Sequence, residues 1–281
     1  MSISLDMPVS CQVAFQYYVL CRQTFCFSFF MKKDSSFYSG TSNVVVPLKQ
    51  SEYPPELKDV SRLKYYASLF TSVEVNSTFY KIPMAKTVRR WNDSVPDSFR
   101  FTFKVPKTVT HAKGLQFDVE EIERFAEAIE QAEGKKGCLL VQLPPSVQQD
   151  RHEELEGILQ CFYDNAPGWK IALEFRHNTW YKRSVYRMLH GYGATVVQHD
   201  MPASASPVVD VADDFTYLRF HGPDGKYRGS YDDATLSVYA DRITTGIGEG
   251  RDFYIYFNNT MGDALVNLQT MNRMLSEKLH M

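Results

Sequence analysis

Three pairs of polar residues in this chain stand two positions apart around an apolar one: Glu74 and Asn76 around Val75, Glu174 and Arg176 around Phe175, Arg219 and His221 around Phe220. If these segments are β-strands, alternation places each pair on one face and the apolar residue between them on the other. Other β-rich runs also end in groups that a core does not need: Lys104, Gln142, Gln198-His199-Asp200 and Asn258-Asn259. Two carboxylates facing one another across a mouth of strand ends are suited to general acid/base chemistry, one protonated and one ionised. Arg176 would lower a neighbouring carboxyl and desolvation would raise the other, separating the roles of Glu74 and Glu174. The plain alternative is an internal salt-bridge network in which they pair with Lys104, Arg176 or Arg219.

Two further chemistries compete. The segment His221-Gly222-Pro223-Asp224-Gly225-Lys226-Tyr227-Arg228-Gly229 combines two cations with glycines that let backbone amides approach, which suits a phosphate or sugar phosphate; otherwise it is a flexible connection. His111, His177, His199 and His221 stand near strand ends beside carboxylates, the donor types of zinc or manganese sites, but no short ligand spacing links them. His199 also has the opposite parity from Gln198 and Asp200. Nucleophilic catalysis ranks low, because Cys138 starts its strand, Cys161 falls late in a helix, and there is no G-x-S-x-G or P-loop. Phe79, Tyr80, Trp180, Tyr181, Tyr227 and Tyr231 follow the strand ends and could stack on a base or sugar, or simply pack as a lid.

The elements that must position these groups can be read from periodicity. Strands are expected at Phe37 to Thr41, Ser72 to Val75, Arg100 to Lys104, Gly137 to Gln142, Lys170 to Phe175, Thr195 to Gln198, Phe215 to Phe220 and Asp252 to Phe257. Between them run helical patterns, such as Ile122, Phe125, Ala126 and Ile129 with glutamates on the other faces. The connection from Met201 to Asp214 is Pro/Ala/Ser-rich and is expected to hold no long helix. Helix-length crossovers imply parallel pairing, and eight such strands close most simply into a (β/α)8 TIM barrel. An open doubly wound sheet is the competitor, but no G-x-G-x-x-G follows the first strand.

Composition is consistent with this. The 281 residues are 44% hydrophobic, enough for one large core, and the formal charge of -2 gives no field that would gather nucleic acid nonspecifically. Five cysteines, an odd count without a C-x-x-C pair, do not suggest a disulfide framework, so a cytoplasmic location is expected. The apolar stretch from Cys11 to Phe30 is interrupted by Gln12, Gln16, Arg22 and Gln23, making it a poor signal peptide and a poor membrane span. Residues 1–36 are therefore read as a poorly ordered or non-native extension and residues 37–281 as a single domain.

Several strings together carry a family resemblance: EVNSTFYKIP (Glu74 to Pro83), FRFTFKVPKTVTH (Phe99 to His111), LLVQLPPS (Leu139 to Ser146), ALEFRHNTW (Ala172 to Trp180), YLRFHG (Tyr217 to Gly222) and YIYFNNT (Tyr254 to Thr260). From about Tyr38 to the C-terminus the chain resembles the YecE-like family, a domain of unknown function. That resemblance implies a TIM barrel and leaves the reaction open. At strand one the family commonly shows G-T-S-G/N-W, where this chain has Gly40-Thr41-Ser42-Asn43-Val44, so an aromatic contact from that loop is not expected.

The expectation is a polar barrel mouth for a small anionic, in one form phosphorylated, or polyhydroxylated ligand, with hydrolase-like acid/base chemistry. Catalytic candidates are Glu74, Glu174, Lys104, Arg176 and His221. Binding candidates are Asn76, Gln142, His177, Asp200, Arg219, Lys226, Arg228 and Asn258. A metal-dependent phosphodiesterase and a non-catalytic binding module are the alternatives; nucleic acid is not favoured, no membrane partner is expected, and no cofactor can be named.

Overall fold

The computed structural model describes residues 37–46, 48–207 and 214–279; the expected extension over 1–36 lies outside them. Among the described residues there are nine strands: β1 (Phe37–Thr41), β2 (Ser72–Val75), β3 (Arg100–Lys104), β4 (Lys136–Gln142), β5 (Lys170–Glu174), β6 (Ala194–Val196), β7 (Gln198–His199), β8 (Phe215–Phe220) and β9 (Asp252–Phe257); helices separate them except between β6 and β7 and between β7 and β8. The helices are α1 (Arg62–Ala67), α2 (Ala85–Ser94), α3 (Lys107–Thr110), α4 (Val119–Glu130), α5 (His152–Asn165), α6 (Arg183–Gly191), α7 (Asp233–Gly248) and α8 (Ala264–Leu279). Side-chain caps start several of them. Ser61 accepts from the Lys64 amide, Asp118 from Glu120 and Asp232 from Thr235, each satisfying an amide that the helix itself leaves unpaired.

All the ladders are parallel, in two sheets of order β1-β9-β8-β7 and β2-β3-β4-β5-β6. The expected continuous ladder of eight strands is therefore corrected at two places. The sixth expected strand divides at Val197. Its first part pairs with β5, Val197 N–H still donates to Leu173 O at 2.9 Å, and its second part pairs with β8. Between β1 and β2 a single bridge, Ser42 to Glu74, forms among the described residues. The cause is a side chain: the Tyr66 hydroxyl lies between the two strands, receiving the Thr41 N–H at 2.7 Å and donating to Ser72 O at 3.1 Å. A phenol has taken the place of a ladder rung. Beside it Gly40 approaches β2 so closely that a Cβ there would lie 2.0 Å from Ser72 O.

Strand alternation creates two apolar layers. Val73, Phe101, Phe103, Leu139, Val141, Ile171, Leu173, Phe220 and Phe257 face the helices, meeting Ile122, Phe125 and Ile129 of α4 and Leu268, Met271 and Leu275 of α8. Each large side chain buried this way contributes about 1.5–3 kcal/mol. A smaller group, including Cys138, Leu140, Ala172, Tyr217, Tyr254 and Tyr256, lies on the opposite strand faces. There the Tyr256 hydroxyl bonds to both Ser72 Oγ and Thr102 Oγ1 at 2.6 Å, tying β9 to β2 and β3. Cys138 is a buried core thiol, pushed up by burial, as its early strand position implied. Among the described residues no helix is long and apolar enough to cross a membrane.

Candidate functional site

The second strand face continues from the tyrosine layer into a charged cluster at the carboxyl ends of the strands. Arg219 of β8 lies at its centre, 2% exposed, between two carboxylates that are fully buried. Its Nε and Nη2 donate to Glu74 on β2, at 2.9 Å to Oε2 and 2.8 Å to Oε1, and its Nη1 donates to Glu174 Oε2 on β5 at 2.9 Å. Glu74 also accepts from Ser42 Oγ and from the Tyr217 hydroxyl, each at 2.6 Å. Arg176, just beyond β5, turns back to donate to Glu174 Oε1. These bonds leave both carboxylates well supplied with donors.

Electrostatics follow from that geometry. Burial would raise the Glu74 carboxyl, but the Arg219 guanidinium with the Ser42 and Tyr217 hydroxyls outweighs it, and the group stands below the ordinary range. Burial likewise opposes ionisation of Glu174, yet Arg219 and Arg176 hold it well below that range. The expected separation of one raised and one lowered carboxyl is thus corrected: a single guanidinium reaches both, so both stay ionised. Arg219 is itself raised, the two carboxylates outweighing its burial.

Both guanidinium groups also donate to His221 Nε2, Arg176 Nη2 and Arg219 Nη1 each at 3.0 Å. A ring nitrogen that receives two N–H groups carries no proton, which assigns the imidazole hydrogen to Nδ1. That atom is buried, makes no hydrogen bond among the described residues and lies 3.4 Å from Asp200 Oδ1. Asp200 accepts the His221 amide at 2.7 Å and the Tyr231 hydroxyl, which in turn receives the Gly222 N–H at 2.6 Å. Burial would raise Asp200, but these bonds hold it below its ordinary value. Asp200 therefore positions the end of β8 and the loop after it. Tyr231→Phe would strand the Gly222 amide and remove a charge-assisted bond. A loss of about 1–3 kcal/mol in urea unfolding is expected, and a loss under about 0.5 kcal/mol would count against this role.

On the other side of the cluster Lys104, at the end of β3, is half-buried. Its Nζ donates to Gln142 Oε1 at 2.8 Å and lies 4.2 Å from the centre of the Phe79 ring. Burial, with the nearby charges of Arg219 and Arg176 opposed by Glu174 and Glu74, brings its amine down to about 8.

The remaining sequence candidates divide. Asn76 is half-buried with an unpartnered side-chain oxygen, and Asn258 is buried, its backbone amide bonded to Phe220 O at 2.7 Å. His177 is engaged elsewhere: its Nδ1 receives the Thr179 amide and caps the short turn Asn178–Trp180. Lys226 and Arg228 are exposed. They flank Tyr227, whose ring lies 5.7 Å from that of His221. Their loop is tied down rather than loose, with Tyr227 N–H on His221 O and Met261 N–H on Tyr227 O. The histidines do not converge, since His111 packs on Phe79, His177 caps its turn and only His199 and His221 meet, rings 5.5 Å apart. Among the described residues no group of three or more His, Cys, Asp or Glu is arranged to hold a metal ion. Ser42 and Tyr217 were absent from the candidate set. Tyr217 has the strand parity of Arg219 and His221 and could have been found by it; Ser42 follows the end of β1 and offered no such signal.

Parallel strands alternating with helices, and a charged cluster at their carboxyl ends, define a parallel α/β protein with its polar centre where such folds carry their sites. The chain belongs to the family described as "Protein of unknown function DUF72", whose model matches residues 42–281. It is 27% identical over 256 residues to the UPF0759 protein YunF of Bacillus subtilis, an alignment covering 80% of this chain and 90% of that one. To the UPF0759 protein YecE of Escherichia coli K12 it is 28% identical over 171 residues, 58% of this chain and 61% of the relative. A crystal structure of a DUF72 family protein from Thermotoga maritima superimposes with a TM-score of 0.68 at 26% identity, covering 85% of this chain and 99% of that one. One from Enterococcus faecalis gives 0.70 at 22%, with coverages of 85% and 95%, a likeness of fold.

Proposed function

We propose that the strand ends form a binding site for a small molecule carrying one carboxylate or phosphate group, and that the protein is an enzyme acting on that ligand. In this reading the two sheets work as one (β/α)8-type barrel, interrupted at the Tyr66 and Val197 seams, and the cluster is its mouth. The observation that carries the proposal is the order of exposure within the cluster. Glu74 and Glu174 are fully buried, the Arg176 side chain is 10% exposed and Lys104 is half-buried. The two carboxylates bonded to Arg219 are covered, whereas Arg176 and Lys104 reach the edge of the cluster; the third carboxylate, Asp200, is 21% exposed but is taken up by the His221 amide and the Tyr231 hydroxyl, so the Arg176–Lys104 side favours an anion. Arg176 is the primary anion contact, with Gln142, Asn76 and Asn258 orienting the ligand and Lys226 and Arg228 adding charge at the rim. Because both carboxylates remain ionised, proton transfer at this mouth falls to Lys104, and Glu74 and Glu174 hold the arginines in place.

Calorimetric titration with inorganic phosphate, glyoxylate and pyruvate tests the proposal. Arg176→Ala is expected to weaken binding at least about tenfold, in line with about 1.5–3 kcal/mol for a hydrogen bond to a charged group, with an unchanged circular dichroism spectrum. Wild-type protein that binds none of the three, or a variant that binds as tightly as wild type, would overturn it.

A further inference from the structure

The cations at the mouth are not equivalent. Arg176 and Arg219 are hydrogen-bonded to carboxylates, whereas Lys104 Nζ donates to a neutral amide oxygen and rests against an aromatic face. Among the described residues no carboxylate lies within ion-pair distance of it. An amine that donates to a neutral amide, rests on one aromatic ring and has no carboxylate partner among the described residues is placed as a nucleophile rather than as a salt-bridge partner. We propose that Lys104 is an imine-forming lysine whose amine condenses with a small aldehyde or ketone that also carries a carboxylate or phosphate, the anionic group lying on Arg176. This rests on the anion-binding reading of the same site and adds the reacting functional group of the ligand.

The step balances without any further reactant. The Lys104 ammonium gives up a proton, the free Nζ pair forms a bond to the carbonyl carbon, and the carbonyl π pair moves to oxygen. That oxygen takes up the released proton and a second one from nitrogen, the C–O bond breaks, and water leaves a protonated imine. Charge is +1 before and after. Gln142 Oε1, 2.8 Å from Nζ, orients the amine, and Phe79 covers one side of it. The charged groups acting on Lys104 are Glu74 from β2, Glu174 and Arg176 from β5 and its end, and Arg219 from β8; His111, on the Lys104 side of the mouth, feels the same charge. Their sum with burial leaves a usable fraction of free amine near neutral pH, since the group is brought down to about 8, whereas an ordinary lysine titrates at about 10.4.

The test is reductive trapping. Intact protein is treated at pH 7 with glyoxylate and sodium cyanoborohydride, and each lysine's alkylation rate is followed by peptide mass spectrometry, with glyoxylate binding measured in parallel by calorimetry. Lys104 is expected to label at least about tenfold faster than the exposed Lys86 and Lys226, with its rate rising around pH 8. Propanal, which lacks the anion, is expected to lose that preference, and Lys104→Arg to lose the preferred label. Binding of glyoxylate with Lys104 labelled no faster than Lys226 overturns the imine and leaves the anion site standing. Neither binding nor preferential labelling overturns both. Preferential labelling that is equal for propanal also overturns the proposal, because the anion would then play no part.

Discussion

Arg219→Met is expected to destabilise the protein by about 3–5 kcal/mol at pH 7, the usual cost of removing one partner from a buried ion pair. The size follows from what the substitution leaves behind. Glu74 and Glu174 are both fully buried, and Arg219 supplies hydrogen bonds to each of them. Methionine fills comparable volume but donates nothing. Glu74 would keep only the Ser42 and Tyr217 hydroxyls, and Glu174 only Arg176. The pH dependence gives a specific signature. In the wild type both carboxyls are lowered from 4.5, so their stabilising contribution is present above about 4.5 and is lost as the pH falls through their folded-state values. In the variant burial is opposed at Glu74 only by two hydroxyls and at Glu174 only by Arg176, so both groups rise from their wild-type values, Glu74 the more, and ionising Glu74 at pH 7 costs stability that protonation restores. The difference between wild type and variant in urea unfolding should therefore narrow as the pH falls from 7 toward 4. A loss under about 1 kcal/mol at pH 7, or one that does not change with pH, would remove Arg219 as the centre of the cluster.

Gly40→Ala carries the second large effect. The added methyl group would sit 2.0 Å from Ser72 O and 2.8 Å from the Tyr66 hydroxyl, distances at which backbone must move. Overpacking usually costs about 1–3 kcal/mol, and here the movement falls on a seam with a single bridge, so the upper end is expected. The bridge itself, Ser42 to Glu74, sits two residues beyond Gly40 and delivers the Ser42 hydroxyl to the carboxylate. Displacing β1 should therefore lower stability and weaken anion binding together, whereas Gly134→Ala, with nothing within 4 Å of its added Cβ, should leave binding unchanged. Unaltered unfolding of Gly40→Ala would show that the close approach of β1 to β2 is not required.

Much of the frame was legible before any coordinates. The expected spans at Phe37, Ser72, Arg100, Phe215 and Asp252 coincide with β1, β2, β3, β8 and β9, because parallel strands between helices show as short β-branched and aromatic runs bounded by helical periods. The grouping of Glu74, Glu174, Arg176, Arg219 and His221 was legible for a related reason. Alternation is a property of the strand backbone, so Val75, Phe175 and Phe220 facing the helices oblige their neighbours to face the other way.

What residue order could not carry were distances between strands and the competition of forces across them. Glu74 and Arg219 are 145 positions apart, and only their approach decides that one guanidinium serves two carboxylates and keeps both ionised. The same holds for the Tyr66 hydroxyl between β1 and β2 and for the transfer of the chain between sheets at Val197. It also decides that His177 caps a turn while His221 accepts two guanidinium groups. Periodicity by itself determined which face each group occupies, since that depends on the next residue along. Charge state, partner and role were decided by tertiary structure alone, because an electrostatic interaction depends on separation in space and on how much water has been excluded.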